Sequence, residues 1–236
     1  MSGSVENHHE TGTRSRILAA AGPVFAEHGF DGATVREICS AAGVNVASVG
    51  YYFGDKMGLY GEVIQRIRDD REREFPSPDN TESDPVEMLQ LIVRTILSRM
   101  HACDASGWES QLFLREMQSP TPVFEDIVNE FFRPMFELLK ATLRRIAGQP
   151  IPDYIVEQLA LSVVGQCFYY KFGSGVVQIL IPKAEREKNY GIDSLCRHIT
   201  AVTLSATEDA RLLEKRSELQ RSEIQRSEIQ RSQKQH

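Results

Sequence analysis

The segment T-V-R-E-I-C-S-A-A-G-V-N-V-A-S-V-G-Y-Y-F, from Thr34 to Phe53, leaves this chain few folds to choose from. Thr34 is a strong N-cap residue, and Glu37 three positions on completes a capping box, so a helix starts there. Val35, Ile38 and Ala41 recur at helical spacing and turn one face inward. Gly43 ends this helix after about two turns, supplying the backbone freedom that a sharp turn demands. A second short helix is expected over about 45–51, anchored by Val44, Val49 and Phe53. Asp55 then caps a longer helix over 56–74, carried by Leu59, Tyr60, Val63, Ile64 and Ile67 and ending in the solvated run R-D-D-R-E-R-E-F. Helices this short are stable only when packed on longer ones.

A longer helix precedes the pair. Over 12–28, Ile17, Leu18, Ala21, Val24, Phe25 and His28 form one stripe at helical period, and Gly29 is expected to close the helix as a left-handed C′ residue. Pro23 lies inside it and predicts a kink rather than a break, at a cost of about 3 kcal/mol. Residues 1–11 read as a polar, disordered tail, with His8 and His9 solvated. After a loop over 75–85, helices are expected at about 84–103, 107–118, 122–147, 153–172 and 192–213, with a kink at Pro134. The stretch K-F-G-S-G-V-V-Q-I-L-I is read as helix or loop, since no partner strand is apparent. The period-five repeat R-S-E-I-Q in 214–236 makes no apolar stripe and no heptad, so it reads as a solvated helical extension or disorder.

The whole is an all-α chain. No run of apolar residues is long enough to span a bilayer, and the N-terminal segment lacks the apolar core of a secretory signal, so a cytoplasmic location is expected. Cys39, Cys103, Cys167 and Cys196 show no metal-ligand or redox spacing and read as small buried thiols; no metal or cofactor is expected. Gly-rich phosphate loops, G-x-S-x-G and H-E-x-x-H are all missing, which weighs against an enzyme. The net charge of −6 means that any affinity for nucleic acid rests on a few placed groups and helix N-termini.

Two short helices joined by a glycine turn, braced by longer helices before and after, is helix-turn-helix architecture. The second helix presents Asn45, Val46, Ala47 and Ser48, small or polar residues suited to close approach to a groove. Thr34, Ile38, Ala42, Gly43, Val44, Tyr52, Phe53, Lys56 and Leu59 resemble, in register, the DNA-binding signature of TetR-family regulators, and F-A-E-H-G-F-D-G-A-T resembles the family's first helix and its exit. Gly50 departs from the pattern, standing where a tyrosine commonly meets a phosphate; Cys39 and Val49 are milder departures. The elements L-F-L-R-E-M-Q-S-P-T and G-Q-C-F-Y-Y-K-F-G are similar to the CecR-like branch.

The resemblance implies a helix-turn-helix DNA-binding domain over 12–58 and a larger helical ligand-binding and dimerisation domain over 59–213. It implies that Thr34 contacts phosphate, that Asn45, Val46, Ala47, Ser48 and Tyr51 face the major groove, and that Tyr52 and Lys56 hold the backbone. It also implies a homodimer on double-stranded operator DNA, with the seam on the last two long helices. Their stripes are Ile155, Leu159, Val163 and Tyr170, and Leu195, Ile199, Val202, Ala206 and Leu213. These stripes equally suit an intramolecular core. A pocket for a small apolar or aromatic effector is expected among Trp108, Phe113, Arg115, Glu116, Met117, Phe132, Met135, Phe136, Gln166, Phe168, Tyr169 and Phe172. The expected function is a ligand-released repressor. A DNA-binding adaptor of the same fold without a small-molecule response is the alternative, and repressor and activator are not separable from sequence.

Overall fold

A computed structural model describes residues 3–78, 84–101, 107–148 and 150–209, with side chains from Gly12 onward. Every regular element among them is helical. The order is α1 (Gly3–Gly32), α2 (Val35–Ala42), α3 (Ala47–Phe53), α4 (Lys56–Glu74), α5 (Pro85–His101), α6 (Trp108–Gln118) and α7 (Phe124–Ile127). A π-helical turn (Val128–Phe132) follows, then α8 (Arg133–Ala147), α9 (Asp153–Phe172), α10 (Ser174–Leu180), α11 (Lys183–Asn189) and α12 (Ile192–Glu208). No helix among the described residues is long and apolar enough to cross a membrane. Cys103 and the period-five repeat lie outside the described residues.

Two compact units emerge from the packing of the helices. The first joins Met1–Pro76 with Arg99–Pro134; the second joins Ser77–Ser98 with Met135–His236. The first unit therefore holds α6, α7 and the π-turn as well as the helix-turn-helix. Its core is a single cluster of Ile17, Ala21 and Phe25 from α1, Ile38 from α2, Val49 and Phe53 from α3, and Leu59, Tyr60, Val63 and Ile67 from α4. Leu112 of α6 and Ile127 of α7 complete it. Phe25 and Tyr60 meet edge to face with centroids 4.8 Å apart, the geometry ring quadrupoles favour.

Helix α1 begins at Gly3, so the polar residues expected to be disordered continue the helix instead. No proline interrupts them, and extending an existing helix is far cheaper than nucleating one. The chain also stays helical through Pro23; the departure falls at Gly29, with φ 73° and ψ 174°. The positive φ was expected, but the extended ψ belongs to a region that only glycine enters easily. One helical turn then resumes, and His28, expected in the apolar stripe, is exposed.

Gly22 has a packing reason. The Trp108 indole lies so close that a β-carbon on Gly22 would stand 2.4 Å from Cη2. Before Pro134, the backbone widens into the π-turn, where the Arg133 amide donates to the Val128 carbonyl. Proline has no amide hydrogen to give and crowds the carbonyl four residues earlier, and the widened turn is how the helix passes it.

In the second unit, the stripes expected to form a dimer seam mostly face the chain's own core. Ile155, Leu159 and Val163 of α9 and Leu195 and Ile199 of α12 are all buried, and α9 packs on α12. Tyr170 and Ala206 are half-buried, Val202 is exposed, and Leu213 lies outside the described residues. The ambiguous stretch after α9 is helix, α10. Arg144 pairs with Asp153 at 2.7 Å and Cys196 donates to the Gln90 carbonyl at 3.2 Å, tying α8 to α9 and α12 to α5.

Helix propensity alone favours Gly22→Ala by up to about 1 kcal/mol. The indole reverses the sign. Overpacking of this kind costs about 1–3 kcal/mol, so Gly22→Ala is expected to lower the thermal unfolding midpoint. A raised midpoint would show that Trp108 does not occupy this space.

Candidate nucleic-acid interface

Helix α3 is held in place from both ends. At its start the Asn45 Oδ1 accepts from the Ala47 amide at 2.9 Å. At its end Phe53 is buried, and Asp55 accepts from the Gly58 amide at 2.8 Å to start α4. Between them Val49 points into the core, while Asn45, Val46, Ala47 and Tyr51 remain on the outside and Ser48 is half-buried. Val46 is 51% exposed and Tyr51 72% exposed. Tyr52 is half-buried against the core, edge to face with Tyr51 at 4.8 Å. The eight residues expected to meet DNA are thus placed close together along α2, α3 and the start of α4, but not all are equally free to do so.

Thr34 and Lys56 are the two whose roles change. The Thr34 hydroxyl accepts from the Glu37 amide at 3.2 Å and donates to Glu37 Oε2 at 2.8 Å, and the Thr34 amide donates to the same oxygen at 3.0 Å. Both Thr34 donors are therefore committed to the capping box. The Thr34 hydroxyl, then its amide, hold the Glu37 carboxyl below the usual glutamate range. A phosphate would have to displace Glu37 to reach Thr34. The Lys56 ammonium donates to the Ala33 carbonyl at 3.1 Å, approaches that of Asp31 at 3.5 Å, and lies 4.5 Å from the Phe30 ring centroid. One of its three hydrogens remains for a phosphate.

Sequence reasoning missed Arg14 and Arg16. Arg16 donates to the Ala42 carbonyl at 2.6 Å and the Gly43 carbonyl at 2.9 Å, closing the C-terminal end of α2. Gly43 adopts φ 63° and ψ 43°, as the turn requires, and a β-carbon there would also strike the Arg16 guanidinium. Arg14 pairs with Glu62 and lies over the Phe53 ring. Their signal in the sequence was only that basic residues stand beside an apolar stripe.

The twelve residues expected to line an effector pocket divide between the two units, and three have fixed internal roles. Trp108 packs on Gly22. Arg115 donates to the carbonyls of Ala26 and Glu27, both at 2.7 Å, just where α1 breaks at Gly29. Glu116 is buried, accepting from the Tyr60 hydroxyl and from the Thr121 amide and hydroxyl at 3.2 and 3.1 Å. Burial, then the neighbouring Glu116, pushes the Tyr60 phenol well above its ordinary pKa. Arg115 and Glu116 thus hold polar groups of the protein itself. Of the rest in the first unit, Phe113 groups with Phe132 and with Phe131, while Met117 is exposed.

In the second unit the Phe168 and Phe172 rings pack at a tilt with centroids 4.1 Å apart, Met135 is buried, and Tyr169 is exposed. Gln166 donates to the Ser162 carbonyl at 3.2 Å, and Phe136 lies beneath the Lys140 ammonium. The described cysteines are buried, and burial pushes the Cys167 thiol up to about 12, which keeps it protonated and unreactive.

Gly50 is not required by the geometry. A β-carbon there meets nothing within 4 Å. Gly50→Ala is expected to stabilise the protein by about 0.5–1 kcal/mol, the usual gain for a helical glycine. Gly50→Tyr is expected to fold with no loss of stability. A fall in the unfolding midpoint for either would reveal a constraint at α3 beyond the contacts described.

Comparison with known proteins identifies the family. Residues 17–63 match the family model of bacterial regulatory proteins of the tetR family, and residues 85–207 match the C-terminal domain of the HTH-type transcriptional dual regulator CecR. The chain is 25% identical over 175 residues to the HTH-type transcriptional dual regulator CecR of Shigella flexneri, covering 70% of this chain and 78% of CecR. It is 34% identical over 158 residues to the probable HTH-type transcriptional regulator YttP of Bacillus subtilis (strain 168), covering 63% of this chain and 74% of YttP. Among solved structures, AibR in complex with isovaleryl coenzyme A and operator DNA superimposes with a TM-score of 0.56 at 14% identity, over 80% of this chain and 97% of AibR, a likeness of fold alone. With a capped helix-turn-helix in the first unit and the CecR-type domain over 85–207, the chain belongs to the TetR family of transcriptional regulators, a family of regulators and not of enzymes.

Proposed function

We propose that this regulator binds a pseudo-palindromic operator as a homodimer, reads it with α3, and is released by a small molecule. The observation that carries the reading is the partition of α3. Val49 and Phe53 are buried, while Val46 and an aromatic residue as large as Tyr51 are left outside a helix braced at both ends. Exposing apolar surface on a rigid, short helix is costly unless something covers it, and a major groove accepts a helix of this size. The relatives support a DNA target, and the AibR structure supports an effector in at least one protein of this fold.

The dimer seam in this proposal moves to the faces that the fold leaves open. Leu161, Gly165 and Tyr169 follow one another at i, i+4 and i+8 along the exposed side of α9. Ala201, Val202 and Ser205 lie on the exposed side of α12, which packs beside α9. Leu161 is 59% exposed. Two copies of this pair would bury those side chains in a four-helix arrangement, with the small residues allowing close approach. The effector reading rests on the aromatic pairs Phe113 and Phe132 in the first unit and Phe168 and Phe172 in the second, which contact other rings and make no polar commitment.

The test is selection of bound fragments from random duplex DNA, followed by titration of the winning fragment at two salt concentrations. Wild type is expected to enrich a pseudo-palindrome and to bind it more weakly as salt rises. Tyr51→Ala is expected to weaken that binding by about tenfold, the loss of a contact worth about 1–3 kcal/mol. Leu161→Glu with Val202→Glu is expected to sediment as a monomer and to lose specific binding. Selection that enriches no sequence would contradict the DNA reading, and a Leu161→Glu, Val202→Glu protein that stays dimeric would contradict the seam.

A further inference from the structure

The segment around α3 carries no charge. From Gly43 to Gly54 the chain contains no Lys, Arg, Asp or Glu. In a major groove this removes two of the usual base contacts from the segment. One is the Arg or Lys contact to guanine O6 and N7; the other is the carboxylate that accepts from cytosine N4. The side chains left outside are an amide, two small apolar groups and a phenol, on Asn45, Val46, Ala47 and Tyr51.

Asn45 is narrowed further by its own fold. Its Oδ1 accepts from the Ala47 amide at 2.9 Å. The amide atom that faces a backbone N–H is the oxygen, so this bond settles which way the amide points. The Asn45 carbonyl accepts from the Ser48 amide at 3.0 Å, and the Val46 carbonyl from the Val49 amide at 3.2 Å. These bonds build the start of α3, and turning Oδ1 outward would open it. The usual pairing of asparagine with adenine lays the whole amide edge against the base, accepting from N6 while donating to N7. Here Oδ1 is turned back to the backbone, and Nδ2 alone is left to face a base. Among the described residues no hydrogen bond takes its two hydrogens.

Val46 supplies a different contact. It is 51% exposed and stands outside the core cluster that takes in Val49. An apolar side chain in the major groove has one good partner, the C5-methyl group of thymine. Thymine carries that methyl beside O4, which accepts. A donor on Asn45 and an apolar surface on the next residue are answered together by no other base.

We infer that α3 selects a thymine in each half-site, with Val46 against its methyl group and Asn45 Nδ2 donating to its O4. This rests on the reading above in which α3 enters the major groove, and adds the base chosen there.

The test uses the full chain and the fragment enriched from random DNA, with each fixed thymine of the half-sites replaced in turn by three bases. Deoxyuridine removes the methyl alone. 5-Methylcytosine, paired with guanine, keeps the methyl and exchanges the O4 acceptor for an N4 donor. Cytosine makes both changes. At one thymine per half-site, wild type is expected to bind deoxyuridine about fourfold more weakly, the worth of one methyl group leaving water. It is expected to bind 5-methylcytosine about tenfold more weakly, because a donor then faces a donor, and cytosine most weakly. Val46→Ala is expected to bind thymine and deoxyuridine alike while still rejecting 5-methylcytosine. Asn45→Ser, which keeps an oxygen to cap α3, is expected to do the reverse and close the gap between thymine and 5-methylcytosine. A helix that was merely loosened would lose affinity for all four fragments in step, so the differences isolate the two contacts. An enriched half-site with no fixed thymine, wild type indifferent to deoxyuridine at every thymine, or variants that weaken on all four fragments equally would overturn the inference and leave DNA binding by α3 standing. Selection that enriches no sequence would overturn the DNA reading and this inference with it.

Discussion

Helix ends are the constraint on which the first unit depends. An α-helix leaves its last carbonyls without partners, and a compact cluster of short helices has many such ends crowded near its core. Here three cations borrowed from elsewhere in the unit satisfy them. Arg16 of α1 takes the carbonyls of Ala42 and Gly43, Arg115 of α6 takes those of Ala26 and Glu27, and Lys56 of α4 takes that of Ala33. Each positive charge also sits where the dipole of the helix or turn it closes is negative. Hydrogen bonds from a charged donor contribute about 1.5–3 kcal/mol each, so losing one would matter to a protein of ordinary stability.

The same bonds decide what belongs with the DNA-reading helix. α6 stands far from the helix-turn-helix in sequence, yet it inserts Trp108 against Gly22, spans the break in α1 with Arg115, and buries Glu116 under Tyr60 of α4. Glu109 adds an ion pair to Arg71 of α4. These contacts give α6 the character of a brace, and the π-turn after it is joined to α4 by Arg68 and Glu130.

Much of this was legible in the sequence, and the reason is local physics. The capping box of Thr34 and Glu37, the left-handed Gly43, the Asp55 cap and the bounds of α4 and α9 all follow from residues within a few positions of one another. What the sequence concealed depends on partners far along the chain. The meaning of Gly22 required Trp108, and the role of Arg115 required the end of α1. The α9 and α12 stripes were read correctly as apolar, but periodicity alone does not tell a helix's inward face from one that meets another copy; the burial of Ile155, Leu159 and Ile199 does. The π-turn was foreshadowed by Pro134, which marks where a helix must yield but not how.

α6 and the helix-turn-helix form one cooperative unit through the helix-end bonds, and amide hydrogen exchange on Arg115→Met is the most direct check of that coupling. Methionine keeps much of the side chain's apolar length and removes the donors. Faster exchange is expected at the end of α1, over 30–33, and in α2 as well as in α6, with the second unit unchanged. Faster exchange confined to α6, with α1 and α2 protected as in wild type, would contradict it.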